Sequence, residues 1–416
     1  MKKKLAYCQV GVAIASSLIL FSGCQKTQQS LSIVSVTPEI EQLLTVGWKA
    51  DARAVLQPLA SPPDELGWDE KIGNRDEIFG DKEILLQAIA RSLEYLNSPQ
   101  AKAAYRNYPI PEITQARVIR SLKRFQELLL IANSGEELMS AVKREFVFYQ
   151  SVGSDNLGTV LFSAYFEPIY PASRTPTAEY RYPLYRLPPD LKSWSKPHPT
   201  REELEGKNGL LGAKSRLAGL EIFWLKSRWE AYLIHIQGSA RLILPDGKQT
   251  TIGYAGNTAR DYNSIGWELV QEGKIPLEEL TMPRILEYFQ INPGAMDEYI
   301  SRDRSFVFFE EKYGVSALGS IEVPLSAERA IATDKSLMPP GALALIQASI
   351  PDYNSSGTLE ERQITRFVLD QDAGGAIKGA GRVDYFLGSG EQAGERAGVT
   401  RSYGQLYYLL LRSESL

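Results

Sequence analysis

The 416-residue sequence has only two cysteines, Cys8 and Cys24, and only two histidines, His198 and His235. With both cysteines at or before residue 24, the body of the chain has neither a disulfide nor a thiolate metal site. Two histidines poorly supply a His-rich catalytic zinc site or a Ser-His-Asp triad. Positive charge is also not in excess: 46 Lys and Arg against 50 Asp and Glu leave a formal charge of −4. That balance argues against nucleic acid as a partner. No metal or organic cofactor is implied, and chemistry must rest mainly on carboxylates.

What is present begins at the N-terminus. Lys2, Lys3 and Lys4 precede an apolar stretch from Val10 to Phe21, interrupted only by Gly and Ser. It is too short to span a bilayer and ends at small residues, so residues 1–23 read as a signal peptide. Phe21-Ser22-Gly23-Cys24 resembles the lipobox of bacterial lipoproteins, in which the cysteine is lipidated and becomes the first mature residue. The alternative is an ordinary secretory signal with an incidental cysteine. Lipid on Cys24 would hold the protein to a membrane without a transmembrane helix. Gln25 is not the aspartate associated with inner-membrane retention, which points to the outer membrane and the periplasmic side of the envelope. A monomer is expected.

About 390 residues remain after that cut, and with 44% hydrophobic content they suffice for about two domains. Residues 24–61 start polar and read as a tether. Helical spacing then follows: Asp81 as an N-cap before Ile84, Leu85, Ala88, Ile89, Leu93 and Leu96, and a second helix from Thr114 through Val118, Leu122, Phe125 and Leu129. A third begins at Ser134 with Glu137 at capping-box spacing. From about Gly158 the character turns to β. Val160–Phe162, Glu221–Leu225, Tyr232–Ile236 and Arg241–Leu244 read as strands, and Pro245-Asp246-Gly247 reads as a hairpin turn before Lys248–Ile252. A helical interlude over Ser264–Gln290 precedes Ser305–Phe309, and the last hundred residues look β-rich.

Three segments could carry chemistry. In Gln371-Asp372-Ala373-Gly374-Gly375-Ala376-Ile377-Lys378-Gly379, followed by Arg382-Val383-Asp384, two carboxylates flank a glycine-rich turn. Glycines let a ligand approach the backbone, and a buried Asp can keep its proton near neutral pH. The pattern alone also fits a turn with two solvated aspartates. Ala332-Thr333-Asp334 reads as a strand end, and Gln237-Gly238-Ser239 is either a sugar-facing loop or a bend between strands.

Together, Asp334, Asp372 and Asp384 in these settings resemble the three-aspartate domain, a double-psi β-barrel. Upstream, Ala164-Tyr165-Phe166-Glu167-Pro168, Pro183–Pro188, Gln237-Gly238-Ser239, Gly253–Asn257, Ser264-Ile265-Gly266 and Val307-Phe308-Phe309 follow in the order of the membrane-bound lytic murein transglycosylase A family. The segment from about residue 160 to the C-terminus resembles that family. Departures are Ala164-Tyr165-Phe166 for Gly-Tyr-Tyr and Ala240 after Ser239. The resemblance implies a mainly β fold with N-terminal helices: a double-psi barrel from 62–168 and 316–416, with a β-rich substrate-binding domain inserted at 169–315. It implies a peptidoglycan lytic exotransglycosylase, a carbon–oxygen lyase giving 1,6-anhydromuramyl products. The alternatives are an expansin-like carbohydrate binder and a glycan hydrolase. Asp384 takes the catalytic position, with Asp372 and Asp334 in support. Tyr165, Gln237, Gly238, Ser239, Gly374, Gly375 and Lys378 fall at substrate-binding positions, and Tyr185 and Tyr254 are further candidates to stack on sugars. Asp384 would be protonated at rest, raised by burial or by a neighbouring carboxylate such as Asp372.

Overall fold

A computed structural model describes residues 55–72, 81–313 and 317–412. The signal peptide, Cys24 and most of the tether lie outside the described residues. No helix among the described residues is long and apolar enough to cross a membrane.

A short strand, β1 (Leu56–Pro58), precedes four helices, Lys82–Leu96, Pro99–Arg106, Gln115–Ile131 and Gly135–Glu145. The Thr114 hydroxyl caps the third by accepting from Arg117 N, and the expected stripe of Val118, Leu122, Phe125 and Leu129 is buried. Ser134 accepts from Glu137 N as expected, and the Glu137 carboxylate accepts from the Asn133 backbone and side chain, each at 2.8 Å. Asp81 stands at the cap position of the first helix but makes no capping bond. Its carboxylate lies 3.5 Å from Arg329, a charge that outcompetes the helix end.

The chain then enters β2 (Phe146–Ser151) and β3 (Val160–Glu167), and crosses at Pro168 into a second sheet. That sheet holds β4 (Ile169–Ser173), β5 (Tyr182–Tyr185), β6 (Glu221–Leu225), β7 (Ser239–Ile243), β8 (Gln249–Asn257) and β9 (Val307–Lys312), in the order β5-β6-β4-β7-β8-β9. A bridge between Arg186 and Phe309 draws its two edges together. The hairpin at Pro245-Asp246-Gly247 joins β7 and β8 as expected. Tyr232–Ile236 is not a strand. It lies in the helix Arg228–Gln237, buried along nearly all its length. An all-round apolar run does not distinguish strand from helix. The deciding signals are the Ser227–Glu230 capping box and Gly238, whose φ of +76° closes the helix in the left-handed conformation. The helical interlude resolves into Ile265–Gln271 and Met282–Ile291, with Arg201–Glu205 and Ala295–Arg302 completing the helices of this region.

The chain returns through β10 (Ala330–Ala332), β11 (Leu343–Tyr353), β12 (Leu359–Asp372), β13 (Arg382–Ser389) and β14 (Arg401–Leu411). These close with β3 into a six-stranded barrel, β14-β11-β12-β10-β13-β3 and back to β14. β10–β12 and β13–β3 run parallel. β2 extends the sheet on the outer side of β14. Phe125 carries the helical layer onto the barrel, its ring 4.9 Å from Phe367 and 6.4 Å from Phe146. Truncating such a ring to alanine costs about 3–5 kcal/mol. Glu391–Val399 is helical although it contains Gly394 and Gly398. A Cβ on Gly394 would stand 2.8 Å from the Phe166 ring, so close packing against β3 requires the glycine that weakens the local helix signal.

Candidate active site

The three-residue strand β10 organises the site. Ala332 is level with Asp372 on parallel β12 and with Asp384 on antiparallel β13. The two aspartates therefore stand one strand to either side of it, and two strand spacings separate their backbones by roughly 10 Å. Asp334 follows just past the end of β10 and is buried.

Their settings differ. Asp334 accepts from Ser336 Oγ at 2.6 Å, Ser336 N at 3.1 Å and Gly379 N at 2.9 Å. Burial works to raise its carboxyl, but these bonds and the Lys378 charge outweigh it and hold the group below its ordinary value. Asp372 accepts from Ser320 N and Ala373 N on one oxygen, each at 2.8 Å, and from the Tyr165 hydroxyl on the other at 2.7 Å. Burial still leaves Asp372 above its ordinary value. Behind it, Lys335 Nζ donates to the Asp372 carbonyl, to buried Asp370 and, at 3.0 Å, to Thr333 Oγ1.

Asp384 has one hydrogen-bond donor among the described residues, Ser163 Oγ at 2.5 Å. Arg382 Nη2 donates to that same Ser163 oxygen at 2.8 Å. A guanidinium cannot accept, so the serine must, and its single hydrogen is thereby aimed at Asp384 Oδ1. The second carboxyl oxygen has no hydrogen-bond partner among the described residues. Protein surrounds the group closely, although its side chain keeps some access to solvent. Burial raises its carboxyl above the usual range, and Arg382 and the Ser163 hydroxyl pull it back only in part. A contribution from Asp372 was one of two expected causes and is not among those at work, because Asp372 lies a strand further off. Among the described residues no three His, Cys, Asp or Glu side chains converge as they would around a metal ion.

The remaining expected residues are distributed as follows. The Tyr165 ring is only 9% exposed, packs 5.2 Å from Phe386, and spends its hydroxyl on Asp372. It is not a stacking surface, because the interior of the barrel claims the ring. Tyr185 is wholly buried, whereas Tyr254 is 53% exposed on β8 and stays open to a ligand. The Gln237 Oε1 accepts from Phe166 N at 3.0 Å, tying the end of the Arg228–Gln237 helix to β3 next to Tyr165. Gly238 faces open space, and Ser239 is buried as the first residue of β7. Gly375 and Lys378 are exposed on the loop after β12, with Gly374 partly so.

Sequence reasoning missed Ser163 and the part played by Arg382. The Ser163–Asp384 contact joins residues 221 positions apart through parallel register. Only the polar break in an otherwise apolar β-run hinted at it. Tyr262 was also missed. Burial pushes its phenol up to about 12, and the Arg382 cation acts in the other direction, an electrostatic link between the second sheet's region and the residue that holds Ser163.

Residues 161–310 match the family model of the MltA specific insert domain, and residues 329–410 match that of the 3D domain. Membrane-bound lytic murein transglycosylase A of Escherichia coli K12 is 32% identical over 263 residues, covering 63% of this chain and 68% of the relative. Its Vibrio cholerae counterpart is 30% identical over the same coverage. Among solved structures, a membrane-bound lytic murein transglycosylase from Agrobacterium tumefaciens superposes with a TM-score of 0.64 at 29% identity, covering 80% of this chain and 93% of that one. E. coli MltA with bound chitohexaose gives a TM-score of 0.65 at 26% identity, covering 86% and 95%. With the closed barrel, the inserted sheet and the aspartates in place, the chain belongs to the membrane-bound lytic murein transglycosylase A family.

Proposed function

We propose that Asp384 is the single acid/base with which this lytic transglycosylase cleaves the β-1,4 bond between N-acetylmuramic acid and N-acetylglucosamine in peptidoglycan. The observation that carries the reading is the isolation of Asp384: it is raised by burial, held on one oxygen by Ser163, and among the described residues no carboxylate contributes to its shift. A protonated Asp384 donates to the glycosidic oxygen as the bond to C1 breaks, through an oxocarbenium-like transition state. The carboxylate that remains is stabilised by the Ser163 hydroxyl and the Arg382 charge. It then accepts the proton of the muramyl C6 hydroxyl as that oxygen bonds to C1. The tethered hydroxyl has the advantage of an intramolecular step. Asp384 ends protonated, no water is consumed, and the product is a 1,6-anhydromuramyl end.

Asp372 and Asp334 support the site by fixing its loops: Asp372 through Ser320, Ala373 and Tyr165, and Asp334 through Gly379. Glycan would lie between barrel and insert, across Gln237–Ser239, Gly374, Gly375 and Lys378, with Tyr254 as a stacking ring. The bound chitohexaose of the E. coli relative, a β-1,4-linked N-acetylglucosamine oligomer, supports such a groove. The change of sheet at Pro168 supports an insert over 169–315 between barrel segments 62–168 and 316–416. The lipobox-like sequence supports an anchor on Cys24, with the chain held as a monomer at the outer membrane. The membrane-bound relatives agree with an envelope location.

Digestion of purified peptidoglycan in ¹⁸O-water, followed by mass spectrometry, tests the reaction. Unlabelled products lighter by one water are expected. Heavy oxygen at a new reducing end means a hydrolase, and no product means a binder.

A further inference from the structure

A cavity of about 780 Å³ opens in the inserted region, lined among others by Glu202, Arg260, Asp261, Tyr262, Arg302 and Arg304. Its size falls within the range of small-ligand sites and exceeds what one sugar ring fills. The segment after β8 that forms one wall is fixed in place. Thr258 N donates to the Phe306 carbonyl at 2.9 Å, Ala259 N to His198 Nδ1 at 3.0 Å, and Asn263 N to buried Asp303 at 3.3 Å.

The charges of this cavity are unevenly used. Arg302 is occupied by Glu268, Glu272 and Glu298. Arg260, whose charge also reaches the Glu203 carboxylate, and Arg304 form no ion pair within 4 Å among the described residues. The Nε of Arg260 donates to the His198 carbonyl at 2.6 Å, which orients the guanidinium and leaves its two terminal nitrogens for a ligand. Glu202 and Asp261 bring carboxylates to the same walls, likewise without an ion pair among the described residues. A neutral glycan calls for neither sign of charge. A short peptide with free carboxylates and an ammonium calls for both, and a guanidinium fork suits a carboxylate by two parallel bonds. Tyr262 belongs to this lining and lies within electrostatic reach of Arg382, which donates to Ser163, the hydrogen-bond partner of Asp384.

We propose that this cavity receives the peptide stem carried by the muramic acid residue at the reacting bond. Arg260 and Arg304 take its carboxylates, and Asp261 and Glu202 face its amine. The proposal rests on the reading of Asp384 as the acid that cleaves at muramic acid. It makes this chain a reader of peptide-bearing strands and gives the inserted region a role in choosing substrate as well as holding glycan.

The test uses the full chain on two substrates, glycan strands with their stems and the same strands stripped by an amidase. The kcat/KM for anhydromuramyl ends should be about tenfold or more higher on the peptide-bearing strands. In the Arg260→Ala/Arg304→Ala double variant that ratio should fall towards one, and Arg260→Lys/Arg304→Lys should restore part of it. A wild-type ratio near one, or a double variant that keeps the full ratio, overturns the proposal. A second readout is binding of the free stem peptide to Asp384→Asn protein, which should weaken about tenfold when both arginines are removed. Peptide binding that ignores the arginines sinks the cavity assignment even where anhydro products form. Arginine-dependent peptide binding without anhydro products upholds the cavity and sinks the reading of the reaction instead.

Discussion

Before β10, the Glu328 carboxylate meets Lys71 at 2.6 Å and Arg396 at 2.7 Å, and neighbouring Asp69 is enclosed by Arg329 and Arg366. Beyond the other end of β10, level with Ala332, Asp384 has one hydroxyl and a single guanidinium that reaches it through that hydroxyl. Burial acts on Glu328 and Asp384 in the same direction, towards the neutral acid. At Glu328 the two cations outweigh it and bring the group down to about 2. At Asp384 burial prevails, and the carboxyl is held above its ordinary value. One barrel thus holds one buried carboxyl well below its ordinary value, binding its N-terminal segment, and another above it. The number of cations in contact decides which.

The largest effect expected from breaking this contrast is at Asp384. Asp384→Asn keeps shape but has no proton to give, so turnover should fall about a thousandfold or more while glycan binding persists. Near-normal release of anhydromuramyl ends would remove Asp384 from its role. The same variant should be more stable than wild type. A carboxyl raised in the folded state costs stability once pH passes the unfolded value of 3.8, and asparagine removes that cost. A higher melting temperature at neutral pH, with the gain vanishing below about pH 3.8, is expected.

Glu328→Gln tests the other end. Lowering from 4.5 to about 2 corresponds to stability on the order of 3 kcal/mol, fully present above pH 4.5 and lost as pH falls from 4.5 towards 2. Urea unfolding across that window should show the variant weaker by about this amount at neutral pH and matching wild type near pH 2. A deficit that does not change with pH would mean that packing, not charge, is what Glu328 contributes.

What the sequence shows of this arrangement follows chain distance. Asp334, Asp372 and Asp384 were legible because each sits in its own short motif beside a turn. Ser163 was not, since its contact with Asp384 depends on which strand lies parallel to β13. Asp69 was not, since its two arginines lie some 260 and 297 positions away. Tyr165 stood out as a motif residue, yet its ring is claimed by Phe386 and its hydroxyl by Asp372, neither of which local sequence specifies. The helices at 114–131 and 134–145 were legible from cap and stripe. Arg228–Gln237 was misread because burial on all sides erased the stripe, leaving only the caps to show it. Glu391–Val399 escaped notice because packing against Phe166 required a glycine.

A smaller effect is expected from Ser163→Ala. It strips Asp384 of its one donor among the described residues and frees Arg382 from the hydroxyl between them. Turnover should fall about tenfold, as expected for loss of one positioned hydrogen bond. The carboxylate loses a group that favoured it, so Asp384 should hold its proton to higher pH. The alkaline limb of the pH–rate profile should therefore move up. A limb that moves down would mean the hydroxyl stabilises the protonated form, against the direction found here.

The smallest effect should be that of Asp372→Asn. The amide oxygen of asparagine can keep both backbone donors, Ser320 N and Ala373 N, and its NH₂ then faces Tyr165, whose hydroxyl turns from donor to acceptor. The loop therefore keeps its shape, and a loss of only a few-fold in kcat is expected. Removing one carboxylate from the neighbourhood of another ordinarily lowers the second one's pKa. Here burial raises the Asp384 carboxyl and Arg382 and Ser163 oppose it, with Asp372 one strand beyond. The alkaline limb of Asp372→Asn should accordingly coincide with that of wild type, measured as kcat and kcat/KM for anhydromuramyl release across pH. A limb displaced to lower pH would show that the two carboxylates share a field across β10, and Asp384 would then owe its proton partly to repulsion.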